Sequence, residues 1–322
     1  MGLVGCGLIG NKRAAALGGD ELVGCVDVVP QLAAGLAQRH STTAFASVEE
    51  LLSAGPDVVI VAVTHDQLAS LACSALAAGA HVLVEKPAGI GVADVDRIAA
   101  AAVDAGRLVK VGFNHRFHPG IARAVSEARS GRFGPVMFVR GLYGHGGRIG
   151  YDQEWRAEPS VSGGGEMVDQ GMHLLDLCHW TLGPLPLHSS LLRTNYWDMP
   201  VEDNAALILG AREGRDAPWA LLHASWSEWK NMFSLEIYCR TGKLQVNGLT
   251  GSYGPQRLRI YAMKPELGPP DLEELDYPPE DPSWAAEWEH FRGAIAAGGG
   301  PLLGDLESAR YAWSCIEEAY GR

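Results

Sequence analysis

The segment Gly5-Cys6-Gly7-Leu8-Ile9-Gly10 has the spacing G-x-G-x-x-G and lies between an apolar start and a helical stretch. In that setting each glycine has its own task. Gly5 permits a tight turn, Gly7 lets backbone N–H groups approach a diphosphate, and Gly10 lets helix and strand pack closely. Leu8 and Ile9 complete the loop, and the helix that starts here turns its positive end toward the phosphates. Asp27 closes the next apolar run. A carboxylate at that strand end accepts hydrogen bonds from ribose hydroxyls and repels a 2′-phosphate. No Lys or Arg follows in Val28-Val29-Pro30-Gln31. The cofactor these residues predict is NAD rather than NADP.

The loop opens a regular alternation. Strands are expected at Leu22–Val26, Val58–Val63, His81–Val84 and Leu108–Val111. Helices are expected from Asn11, Leu32, Val48 (capped by Ser47), Gln67 and Val92. The unbroken Val58-Val59-Ile60-Val61-Ala62-Val63 run suits a strand buried on both faces. Strands alternating with helices predict a parallel, doubly wound α/β sheet. After Phe117 the strand candidates become longer and more alternating: Val136–Tyr143, Ala205–Leu209, Ala220–Trp226, Phe233–Cys239 and Lys243–Val246, with a hairpin at Arg240-Thr241-Gly242. Pro265 to Pro282 reads as surface loop, and helices near Trp284–Ala297 and Asp305–Tyr320 end the chain. The expected fold is therefore a Rossmann domain over 1–117, then an α+β domain over 118–322 with a mainly antiparallel open sheet.

Composition narrows the function classes. A formal net charge of −12 disfavours nucleic acid as a partner. No apolar run approaches the roughly 20 residues of a membrane span, and no secretory leader is expected from the start of the chain. The six scattered cysteines form no C-x-x-C pair, which predicts reduced thiols, no zinc knuckle and a cytoplasmic location.

Two blocks carry chemistry. Glu85-Lys86-Pro87 ends a buried parallel strand, where ligands of such sheets bind. An ammonium there can hydrogen-bond a substrate hydroxyl and stabilise the alkoxide formed as a proton leaves. A solvated Lys beside Glu85 is the plainer alternative. Asp169 and His173 are four apart, so on a regular helix they share a face, with Asp176 near the same stripe. A carboxylate beside an imidazole orients the ring and makes it a better base. A surface ion pair is the alternative here; a metal site with His179 is disfavoured, because His179 falls on a different helical face.

These blocks together resemble the Gfo/Idh/MocA family of oxidoreductases. The resemblance runs through Gly5 to Gly10, Asp27, Ala62-Val63-Thr64, Ala77 to Pro87, Val111 to Phe117, Trp155-Arg156 and Gly163 to Asp176. It implies an N-terminal Rossmann domain, and a C-terminal domain whose open sheet mediates dimers or tetramers. It also implies hydride transfer at a sugar, nucleotide sugar, aminoglycoside or cyclitol carbon. By that resemblance Lys86, Asp169 and His173 fall on catalytic positions, with either Lys86 or His173 as general base. Thr64, His65, Glu85, Lys86 and Asn114 join the glycine loop around the cofactor. Arg116, His145, Trp155 and Arg156 join Lys86, Asp169 and His173 around the substrate. The sequence departs from the family at Thr64-His65-Asp66, where Thr-Pro-Asn is common. Two rival readings remain: an epimerase or glycosidase that retains NAD through transient oxidation, and a regulator that binds the dinucleotide without chemistry.

Overall fold

The apolar runs of the first 111 residues all become strands of one sheet. The computed structural model describes residues 1–214, 216–266 and 268–322. In chain order the first elements are β1 (Gly2–Val4), α1 (Leu8–Ala15), β2 (Gly24–Val26), α2 (Pro30–His40), β3 (Thr43–Ala44) and α3 (Val48–Ser53). They continue with β4 (Val58–Val61), α4 (His65–Ala77), β5 (His81–Val84), α5 (Val92–Ala105) and β6 (Val109–Val111). All six strands pair in parallel, in the order β3-β2-β1-β4-β5-β6. The order reverses between β1 and β4, the place where open α/β sheets bind ligands. Ser47 caps α3 by accepting from Glu50 N at 3.2 Å, and Gly106 closes α5 in the left-handed region.

The second part holds α6 (Pro119–Arg129), β7 (Val136–Gly144), α7 (Pro159–Ser162), α8 (Met172–Leu182), β8 (Leu187–Arg193), β9 (Asn204–Gly210) and β10 (Trp219–Ser225). It continues with β11 (Met232–Cys239), β12 (Gly242–Asn247), β13 (Arg257–Ala262) and β14 (Asp271–Asp276), and the chain ends with α9 (Ser283–Ala296) and α10 (Leu306–Tyr320). Eight strands form the order β14-β13-β12-β11-β7-β10-β9-β8. Every pair is antiparallel except β7 with β10. One face of this sheet carries the core through Val139, Leu222, Leu235, Ile237, Val246 and Ile260. Gly141 lacks a Cβ where Leu174 of α8 and Leu222 lie 3.0 and 3.1 Å from its place, so α8 packs directly on β7.

Four elements differ from expectation. Helix α6 starts at Pro119 and buries Ile121, Ala124, Val125 and Ala128, a helical spacing hidden by its short side chains. Strand β8 is largely exposed and shows no apolar alternation. Strand β13 turns Leu258 and Ile260 into the core, and its Arg257 and Arg259 pair with Asp276 and Glu274 of β14, so charge rather than burial marks β14. The Pro265–Pro282 stretch is thus not all loop, and Leu267 within it lies outside the described residues.

The chain divides into two units, Met1–Asn114 with Trp284–Arg310, and His115–Ser283 with Tyr311–Arg322. A linear division at residue 117 assigns 284–310 to the second domain. These residues belong instead with the first unit, because Trp288 and Phe291 pack into the core of Leu3, Cys25, Leu36, Ile60 and Leu83.

The same unit holds four buried charges. Arg13 of α1 bonds Glu85 (Nε to Oε1, 2.6 Å) and Glu287 of α9 (Nη1 to Oε2, 2.5 Å). Lys110 of β6 completes the set at 2.8 Å from the other oxygen of Glu287. No side chain of the four is more than 9% exposed. Against desolvation, Lys110 and Arg13 hold the Glu287 carboxyl below its usual range. Gly112 makes the room, since a Cβ there would lie 2.6 Å from Arg13 Nη2 and 2.8 Å from Glu85 Oε2. Glu287→Ala would leave the buried Arg13 and Lys110 with one carboxylate, Glu85, and is expected to cost about 3–5 kcal/mol. Chemical unfolding measures this, and a loss below about 1 kcal/mol would show that the network contributes no more than a surface pair.

Candidate functional site

The first unit carries the expected cofactor residues. Gly5 sits at φ +94°, and a Cβ there would strike the Ala62 carbonyl. A Cβ at Gly10 would strike the Gly5 carbonyl, so these two glycines serve the fold of the turn. Gly7 differs, because a Cβ there would meet nothing within 4 Å. The open space there fits a diphosphate drawn close to the backbone at the start of α1. Asp27 is tied to this loop: its Oδ2 accepts from Cys6 N at 2.6 Å and its Oδ1 from Val29 N at 2.8 Å. A carboxylate accepts about four hydrogen bonds, which leaves capacity for ribose hydroxyls.

Thr64 is the N-cap of α4, at the end of β4, and its hydroxyl donates to Asp66 Oδ1 at 2.7 Å. His65 is buried as the first residue of that helix. Lys86 is half-buried beyond β5, and its peptide bond to Pro87 is cis. The Glu85 carboxylate is buried and engaged by Arg13. Asn114 is buried as the last residue before the chain enters the second unit.

The second unit assembles the acid and imidazole groups. Met167–Gly171 forms a π-helical turn that runs into α8. Asp169 lies within this turn, and His173 follows as the second residue of α8. Asp169 Oδ2 accepts from Arg156 Nε at 3.3 Å, and Arg156 lies over the Trp155 ring at 4.4 Å. Despite desolvation, Asp169 holds the Arg156 guanidinium above its ordinary pKa. The buried His173 ring stacks on His115 at 3.7 Å between centroids. Tyr143 lies 6.2 Å from His173 and 5.3 Å from Tyr253, whose hydroxyl accepts from Gln170 at 2.8 Å. Burial pushes the Tyr143 phenol well up, with Tyr253 and Asp169 adding to it, so it remains a neutral O–H.

Asp176 is buried and held by Arg116 through three contacts of 2.6–3.1 Å, so Arg116 braces α8. His179 stacks on Tyr311 at 4.5 Å, and no group of three metal-binding side chains occurs among the described residues. His145 accepts from Gly147 N through Nδ1 at 2.9 Å; burial lowers its pKa, and Asp169 pulls the other way.

Residues beyond those motifs hold this unit's site in place. Glu202 accepts from Met167 N at 3.0 Å, Gly165 N at 3.3 Å and Tyr320 OH at 2.7 Å, which binds the start of the π-turn. A Cβ on Gly165 would collide with the Glu202 carbonyl, which explains that glycine. Asp203 Oδ1 accepts from Asn195 N at 2.9 Å, and Oδ2 accepts from Tyr196 N and Trp197 N at 2.7 and 3.0 Å. Asp203 thus organises a loop. An acidic pair just before a strand was the available signal.

Residues 1–113 match the family model described as the oxidoreductase family, NAD-binding Rossmann fold. Residues 121–245 match the GFO/IDH/MocA C-terminal domain. The chain belongs to the Gfo/Idh/MocA family, and its first unit is an NAD-binding Rossmann domain. It is 33% identical over 187 residues to myo-inositol dehydrogenase Hyg17 of Streptomyces leeuwenhoekii, covering 57% of this chain and 55% of that protein. It is 27% identical over 197 residues to levoglucosan dehydrogenase of Pseudarthrobacter phenanthrenivorans, covering 59% and 50%. The chain spans about half the length of these curated relatives. In fold it is similar to a Desulfitobacterium hafniense oxidoreductase described as NADPH-dependent (TM-score 0.88, 19% identity, 99% of this chain and 94% of that one). No helix among the described residues is long and apolar enough to cross a membrane.

Asp203 gives a pH test. Its backbone hydrogen bonds, with one from Asn204, outweigh desolvation and hold its carboxyl below the ordinary value of 3.8. Asp203→Asn is expected to cost about 1–3 kcal/mol at neutral pH. The stabilisation is whole above the ordinary value and is lost as pH falls through the lower folded-state value. Urea unfolding should show the gap between wild type and variant closing in acid. A gap that persists there would contradict an ionic role.

Proposed function

We propose that the protein is an NAD-dependent dehydrogenase. It transfers a hydride between nicotinamide and a secondary alcohol carbon of a sugar, aminoglycoside, nucleotide sugar or cyclitol. The observation that carries this reading is the open backbone at Gly7 with Asp27 anchored on the same loop, which suits a dinucleotide with a free 2′-hydroxyl. Family membership and the dehydrogenase relatives support the reaction class.

NAD, when bound, supplies the hydride acceptor. The remaining work falls to this chain's residues. The substrate hydroxyl must lose its proton as the hydride leaves, and Lys86 and His173 are assigned to that oxygen. Asp169, fixed by Arg156, supplies the negative charge that favours a protonated His173. Thr64, His65 and Asn114 are assigned to the cofactor. His145, Trp155 and Arg156 are assigned to the substrate.

The outer face of the eight-stranded sheet is assigned to contact between copies of the chain. Trp219, Phe138 and Tyr238 stack there in a row, at 4.8 and 4.1 Å between centroids. Sedimentation should then give a dimer or tetramer, and Trp219→Glu should reduce its size. A monomeric wild type would end that assignment.

The reaction is tested by following NADH formation across sugars, aminoglycosides and cyclitols. Lys86→Ala and His173→Ala should each lower kcat/KM by about 100-fold or more. Full activity in both removes the mechanism. Asp27→Ala should raise the KM for NAD and weaken discrimination against NADP, whereas a wild type that prefers NADP defeats the Asp27 argument.

A further inference from the structure

An aromatic ladder leads away from Asp169 within the second unit. Asp169 is bonded by Arg156, Arg156 Nη1 lies 3.8 Å from Glu154 Oε2, and Glu154 N donates to the Tyr151 carbonyl at 3.2 Å. His145 meets Tyr151 edge-on at 5.5 Å, Tyr151 lies 5.7 Å from Trp197, and Trp197 lies 5.1 Å from Tyr196. Tyr196 then meets Trp229 at 4.5 Å with the rings at 81°. Exposure climbs along the row, from 2% at Tyr151 to 59% at Tyr196 and 64% at Trp229.

The outer end is built, not loose. Trp229 holds φ +50°, in the left-handed region, and Lys230 N donates to the Glu228 carbonyl around it. That is a γ-turn of the strained hand, which a side chain adopts at a cost. Glu228 N donates to the His145 carbonyl at 3.2 Å, and His145 N donates to Ser225 O at 2.9 Å. Gly146 has no Cβ where Trp229 Cα stands 3.2 Å away. On the other side, Asp203 fixes the backbone of Tyr196 and Trp197. The segment that bears His145 and the two exposed rings therefore form one framework.

We propose that Tyr196 and Trp229 form a subsite for a second ring of the substrate, so that the preferred substrate is a glycoside or oligosaccharide rather than a free single-ring sugar or cyclitol. This rests on the dehydrogenase reading. Two rings at a steep angle offer an apolar corner for the C–H face of a pyranose or an aglycone ring. Exposed Asp198 and Lys230 flank it with groups for ring hydroxyls. Two exposed rings fall far short of the roughly 800 Å² per partner that a stable protein interface buries. The ladder's continuity with Asp169 places this corner on a path to the reacting group.

The test uses the NAD-loaded protein with glucose, maltose, cellobiose and p-nitrophenyl glucosides as probes. Binding is measured by calorimetry and turnover by NADH formation. A two-ring probe should bind about tenfold more tightly than glucose. That ratio should collapse in Trp229→Ala and Tyr196→Ala, and survive in Trp229→Phe. Ala and Phe bear the same backbone strain at residue 229, so their difference reports the ring. No two-ring preference, or a ratio unchanged in Trp229→Ala, overturns the subsite. So does a Trp229→Ala change in sedimentation without a change in the ratio. A Trp229-dependent preference in binding without NADH formation sustains the subsite and defeats the dehydrogenase reading. Equal turnover of one-ring and two-ring probes does the reverse.

Discussion

Two carboxylates and two cations, closed off from water, hold the NAD-binding unit to one arrangement. Arg13 stands one turn inside the helix that begins at the glycine loop. Glu85 immediately precedes Lys86, Lys110 comes from the last strand of the sheet, and Glu287 comes from α9. A buried charge without its partner costs several kcal/mol, so each group requires the others to be in place. The geometry of the loop and the position of the strand end that carries Lys86 are thereby linked through one set of ion pairs. Apolar packing of Trp288 and Phe291 closes α9 over the same core.

The second unit uses acidic residues in a different way. Glu202 and Asp203 each collect backbone N–H groups, one at the entry to the π-turn and one in the loop of Tyr196 and Trp197. Burial raises the Glu202 carboxyl, although its hydrogen bonds work against that. Adjacent residues thus hold two distinct segments: one bears Asp169, the other bears the outward aromatic rings. Irregular backbone at both places is tolerated because its donors have acceptors.

Much of this was legible in the chain itself, for local reasons. The glycine spacing, Asp27 and the β-branched runs act over a few residues, and all fall where their periodicity puts them. The elements that escaped are those whose cause is distant or unpatterned. The partner of the Glu85 carboxylate escapes because Arg13 lies far from it in the chain. The count of four from Asp169 to His173 gives no sign of the π-turn in which Asp169 lies. Strand β14 escapes because its acidic residues are matched by arginines on β13, not by a core. His115 carries no signal of its own; only the fold brings it against His173.

The return of residues 284–310 to the first unit has a consequence for biosynthesis. A ribosome delivers Arg13, Glu85 and Lys110 long before Glu287 emerges. Until then the nascent Rossmann unit holds two cations against one carboxylate and lacks Trp288 and Phe291. The part that binds NAD is therefore begun before the eight-stranded sheet and completed only after the whole of that sheet has left the tunnel.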